Sequence, residues 1–177
     1  MTSFTASLIV ASTFMAQANQ SNHQAHLQAW AQDFLGQWTT EFTAEEDRGP
    51  LKEGDKYIAK WVTKWSPDKD ALMTNYWQEL DGSTFVTVKA VIGWDPMAEA
   101  VVSQWFASNG SAGKIVYTKN GSGWVAKWSM ADTEKKTSSW TSHITVVDEK
   151  THELRATDRI MEGERRPDGE ARTATRK

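Results

Sequence analysis

"DFLGQWTTEF", residues 33–42, is where the character of the chain changes. Before Gly36, apolar residues recur at helical spacing. In "NQSNHQAHLQAWAQDFL" (19–35), Leu27, Trp30, Ala31, Phe34 and Leu35 share one side, with Gln and Asp on the other. After Gly36 the period drops to two and stays near two to the C-terminus. A glycine at such a junction ends a helix and lets the chain turn tightly into a strand. The stretch predicts a short helix over 19–35 and an all-β domain over 36–177.

The runs that follow carry the alternation. In "KYIAKWVTKW" (56–65), Tyr57, Ala59, Trp61, Thr63 and Trp65 share a face opposed by three lysines, so the Trp face points inward. Val86, Val88, Ala90, Ile92 and Trp94 repeat the pattern in "VTVKAVIGW" (86–94). Trp124, Ala126, Trp128 and Met130 repeat it in "WVAKWSM" (124–130). In "SSWTSHITVV" (138–147), Trp140, Ile144 and Val146 oppose Thr141, His143 and Thr145. Turns rich in Gly, Asn, Asp and Pro separate the runs, and Asp81-Gly82 and Asn120-Gly121 are hairpin signals. Strands are expected at roughly 38–44, 54–65, 71–80, 84–94, 99–107, 113–118, 123–130, 136–147, 152–161 and 170–176. Sequential antiparallel strands in this number favour an up-and-down barrel of about 8–10 strands, which removes open edges. A two-sheet sandwich is the alternative.

Composition bounds the function. The 177 residues suffice for one domain. Twenty basic against 23 acidic residues, net −3, argue against nucleic acid, which needs clustered cations. The absence of cysteine removes disulfides, thiolate metal sites and thiol nucleophiles. At the N-terminus, "SLIVASTFMAQA" (7–18) is an apolar run ending in an A-x-A-like pattern. It is too short for a membrane anchor, and reads as a signal peptide over 1–18. The expectation is export to a periplasm or the outside. An ordinary N-terminal segment of a cytoplasmic protein is the other reading.

A helix, Gly-x-Trp at the first strand, and an antiparallel meander resemble a lipocalin-type (calycin) barrel. "FLGQWTTEF" (34–42), "VIGWDPMAEAVVSQWFASNGSAG" (91–113), "GSGWVAKW" (121–128) and "TDRIMEGE" (157–164) are similar to a bacterial lipocalin-like family of unknown function. That family is often fused to SnoaL-like domains. The resemblance implies that Trp38 sits at the closed end of the barrel beside Gly36. It also implies that Arg172 or Arg176 of the last strand packs across the Trp38 ring.

Ten tryptophans set the functional question. Tyr57, Trp61, Trp65, Trp94, Trp105, Trp124, Trp128 and Trp140 are the expected inward set. They suit a pocket for a small apolar or aromatic molecule. Rings that fill the barrel as core, in a module that works through partner proteins, are a second reading. Carbohydrate stacking on exposed rings is a third. In "HELRATDRI" (152–160), Leu154, Ala156, Asp158 and Ile160 alternate with Arg155, Thr157 and Arg159. That places Asp158 on the apolar face, as a ligand anchor, as an acid/base of an isomerase- or cyclase-like enzyme, or in a structural pair. His143 as a haem ligand and His23 with His26 as a zinc pair both lack supporting ligands, so no cofactor or metal is assigned. The arginines of "MEGERRPDGEARTATRK" (161–177) form a solvated hairpin or an anion-binding rim.

Overall fold

The computed structural model describes residues 24–177. The expected signal peptide, and residues 19–23 of the expected helix, lie outside the described residues. A helix occupies 24–34. Eleven strands follow: β1 (Gly36–Thr43), β2 (Lys56–Trp65), β3 (Leu72–Leu80), β4 (Ser83–Asp95), β5 (Ala100–Ala107), β6 (Ala112–Asn120), β7 (Gly123–Ala131), β8 (Thr137–Asp148), β9 (Thr151–Met161), β10 (Glu164–Arg165) and β11 (Arg172–Arg176). Strands β1 to β9 pair in chain order, all antiparallel, and β11 closes the ring between β9 and β1. The barrel therefore has ten strands, with β10 a two-residue ribbon on the end of β9. With the helix at one end, the architecture is compatible with a calycin-like fold.

The register turns the alternation into rows. Trp38 lies opposite Trp61, Trp61 opposite Tyr76, Tyr76 opposite Val88, and Val88 opposite Ala107. Side chains directly across neighbouring strands pack together, so these rows build the inner wall. Trp105 enters this wall beside Gly113. A Cβ at Gly113 would stand 2.4 Å from the Ser129 carbonyl oxygen and 2.5 Å from the Trp105 ring, a space only glycine fits.

The helix plugs one end. Leu27, Trp30, Ala31 and Phe34 are buried among Leu72, Ile92, Val101, Tyr117, Trp124 and Ile144. Full burial of each large side chain contributes about 1.5–3 kcal/mol, far more than a helix this short gains from its own hydrogen bonds. Gly36 links plug to wall with φ +100°, a region closed to most L residues. Trp38 is fully buried beneath it and donates from Nε1 to the Phe34 and Leu35 carbonyls at 3.2 and 3.3 Å. Arg176, not Arg172, lies across the Trp38 ring, 4.6 Å from its centroid. Its Nη2 donates to the Asp33 carbonyl at 2.7 Å. Ring and guanidinium together satisfy carbonyls that the helix C-terminus leaves open. Arg172 lies over Phe42 instead, at 4.5 Å.

One expected face is corrected. Along β9 the register against β8 shifts between Ser139 and Thr141, so Asp158 and Arg159 together oppose Trp140. Asp158 is the extra residue of a β-bulge, with φ +51°. The insertion moves Ile160 to the outer wall and leaves Asp158 exposed. Arg159, expected outside, is drawn in, with only 14% of its side chain exposed.

Candidate functional site

The two halves of the barrel interior differ. Near the plug, inward side chains such as Leu72, Val101, Ile115, Trp124 and Ile144 are buried. In the other half, Trp61, Tyr76, Gln78, Val88, Trp128, Trp140, Ser142, Leu154 and Ala156 face inward yet are only half-buried. Partial exposure on an inner wall means that solvent reaches this half of the barrel lumen, although Val88, Trp128 and Leu154 also pack against the plugged core. Ser142 and Ala156, paired on adjacent strands and half-buried, are short side chains that fill little of the interior, whereas Ala126 beside them is fully buried in the core.

Stacked rings line the lumen. Trp128 and Trp140 stack at 5.0 Å, and Trp61 lies 6.4 Å from Tyr76. Gln78 donates from Nε2 to the Tyr76 hydroxyl at 2.7 Å. Burial pushes the Tyr76 hydroxyl above its ordinary pKa, so it remains a neutral phenol whose O–H can donate a hydrogen bond. The Trp128 Nε1–H is buried without a hydrogen-bond partner among the described residues. An apolar wall with a few convergent polar atoms is the usual make-up of a small-molecule site.

The eight expected rings all sit on inward faces, but they do not converge on one pocket. Trp94, Trp65 and Trp124 serve the plug. His26 of the helix stacks on Trp94 at 4.4 Å. The Trp124 Nε1 donates to Asp33 Oδ2 at 2.7 Å, and Lys119 reaches the same oxygen at 2.9 Å. Trp105 is packed into the main core. Tyr57 belongs to a second small core with Ala44 and Leu51, against Phe42, Leu80 and Phe85. Trp61, Trp128 and Trp140 remain as the lumen set.

Residues 44–55, between β1 and β2, form a strap at the lumen end. Leu51, 1% exposed, tucks into the Tyr57 cluster. Glu45 pairs with Arg159 and with Arg172 (3.7 Å), and Glu46 with Arg166 at 3.2 Å. Tyr57 is held in the protonated form, chiefly by burial. Neither this strap nor His152 is singled out by the alternation of the sequence. His152 is fully buried at the plug, stacked on Trp38 at 4.1 Å, and its pKa is lowered to about 4, chiefly by burial.

Asp158 does not reach the lumen. Its carboxylate accepts the Thr157 hydroxyl at 3.3 Å, and Thr157 meets His143 Nε2 at 3.1 Å, all on the outer wall. An Asp158→Asn substitution is expected to change stability by less than about 0.5 kcal/mol, whereas Asp158→Val costs more than about 1 kcal/mol, since a β-branched residue resists positive φ. Urea denaturation checks both; a loss above about 2 kcal/mol for the Asn variant would mean that the carboxylate is buried after all. His23 lies outside the described residues. Among those described, no group of three or more His, Cys, Asp or Glu is placed to hold a metal, and no helix is long and apolar enough to cross a membrane.

Two open hollows lie outside the lumen. One, of about 530 Å³, crosses the outer wall between Phe106, Lys114, Ser129 and Ile160. The other, of about 390 Å³, lies between Gln28, Gln32 and Trp65. No family model and no curated protein matches this sequence.

Proposed function

We propose that the protein binds a small apolar or aromatic molecule in the lumen, between the Trp128–Trp140 stack and Trp61. The supporting observation is the half-exposure of inward aromatic side chains in one half of a barrel whose other half is tightly plugged. The exposed Asp158 gives the enzyme reading no group in this lumen.

Nile red, a neutral apolar dye, tests the proposal. One molecule is expected to bind per chain with micromolar affinity, and Ser142→Trp is expected to weaken it at least about tenfold by filling the lumen, a loss of about 1.4 kcal/mol. Native mass spectrometry of protein purified from its own source would then show what it carries. Dye binding unaffected by Ser142→Trp would move the site to the outer wall. There Met73, Val91 and Phe106, 51%, 54% and 70% exposed, offer apolar surface to a partner protein.

A further inference from the structure

The lumen end holds two half-buried guanidiniums on one shared carboxylate. Arg159 and Arg172 have side chains only 14% and 23% exposed, and both pair with the carboxylate of Glu45, which is 49% exposed. The neighbouring acids are engaged elsewhere: Glu46 and Glu164 with Arg166, Asp168 with Arg155, Asp47 with Lys52. Each guanidinium meets only one Glu45 oxygen, Arg159 the Oε2 and Arg172 the Oε1, so beside the apolar lumen neither has the bidentate partner that its fork can hold. Arg159 spends a further donor on the Pro167 carbonyl at 2.9 Å, and Arg172 rests its cation on Phe42. Neither contact neutralises charge. Arg48 of the strap, close enough for its charge to act on the Tyr57 hydroxyl, adds a further cation at the same end. Half-buried guanidiniums attract a carboxylate more strongly than exposed ones, because less water screens them and their fork matches its two oxygens.

Glu45 sits on the strap, not on the barrel wall. Its carboxylate occupies the position that an incoming anion would take. Resting on the lumen proposal, we infer that the ligand carries a carboxylate headgroup, which replaces Glu45 on Arg159 and Arg172 and releases the strap end that Glu45 pins. The apolar body lies among the lumen rings and the head at the strap. Entry and release are coupled: the strap closes on its own carboxylate when the lumen is empty.

Two matched pairs of probes test this: decanoate with decanol, and 2-naphthoate with 2-naphthalenemethanol. Calorimetric titration at low salt is expected to show each carboxylate bound about tenfold or more tighter than its alcohol. Glu45→Gln removes the internal competitor and is expected to tighten the carboxylates about threefold or more while leaving the alcohols unchanged. Arg159→Gln and Arg172→Met are expected to abolish the preference, with thermal melting confirming that both variants fold. Because Glu45→Gln predicts a gain, misfolding cannot imitate it. Alcohols and carboxylates bound equally, with Glu45→Gln without effect, would overturn the carboxylate inference and leave the lumen proposal standing. If none of the four probes and no Nile red binds, both fall.

Discussion

Trp38→Ala is expected to cost about 3–5 kcal/mol, among the largest losses any single truncation in this chain would cause. The ring is fully buried, with His152 stacked at 4.1 Å, Trp61 at 6.3 Å and the Arg176 guanidinium at 4.6 Å. Removing it leaves a cavity that a closed barrel wall cannot collapse to fill. It also strips the indole donor from two carbonyls at the helix C-terminus. For a domain of this size the loss lowers the melting temperature by roughly 10 °C. Trp38→Phe separates the contributions: it keeps a ring in the stack and loses only the donor, for about 1–2 kcal/mol. Arg176→Ala removes the cation from the same ring and the bonds to the Asp33 and Gln32 carbonyls. A double-mutant cycle between Trp38 and Arg176 is expected to show about 0.5–2 kcal/mol of coupling, because the two share the helix end as well as each other. Amide exchange across 27–35 adds the local readout. If Trp38→Ala loses less than about 1 kcal/mol, the plug does not unfold with the barrel, and the lumen would be open at both ends.

This end of the molecule is legible in the sequence because its signals are local. Gly36 must turn, Trp38 follows at fixed spacing, and lysines on the opposite face mark the inward side of β2. The same alternation orients β4, β7 and β8. It fails on β9, where one extra residue reverses every face after Thr157. Nothing local announces the bulge: Asp158 tolerates positive φ, and "RATDRI" reads equally well as unbroken alternation. The sorting of the tryptophans is also invisible to a one-dimensional reading. Trp124 and Trp128 stand four apart on one face of β7. One meets Asp33 of the helix and the other faces the lumen, a difference set by where the plug stops. His152 was readable by period, since it shares a face with Leu154 and Ala156. It is masked by "DEKTHE", whose polar character suggests a turn that in fact ends at Lys150.

His152 gives the second large effect, and its sign follows from burial. The imidazole lies between Trp38 and Phe34, 1% exposed, and its pKa is lowered from 6.5 to about 4. Burial is the main cause. Asp33 and Asp148 pull the pKa up, while Arg176 and Lys119 push it down. The neutral ring is therefore the folded form. Unfolded chains take up this proton near pH 6.5, folded ones only near pH 4, so the stabilisation is complete above 6.5 and drains away as the pH falls to 4. The loss across that window is roughly 3 kcal/mol. Carboxylates with lowered pKa values also lose stability in acid, among them Asp95 and Asp148, both held down chiefly by backbone N–H donors. Their ordinary values lie near 4, so most of their effect comes below the histidine window. His152→Phe keeps an aromatic ring against Trp38 and has no proton to gain. It is expected to match the parent within about 1 kcal/mol at pH 7.5 and to exceed it by about 2–3 kcal/mol at pH 4.5, by urea denaturation at each pH. Parallel curves for parent and variant between pH 7 and 4 would overturn this, for they would mean that the ring at 152 takes up its proton at the same pH folded and unfolded. A parent that instead gained on the variant as the pH fell would mean a buried imidazolium held by Asp33, with acid strengthening the closed end of the barrel instead of loosening it.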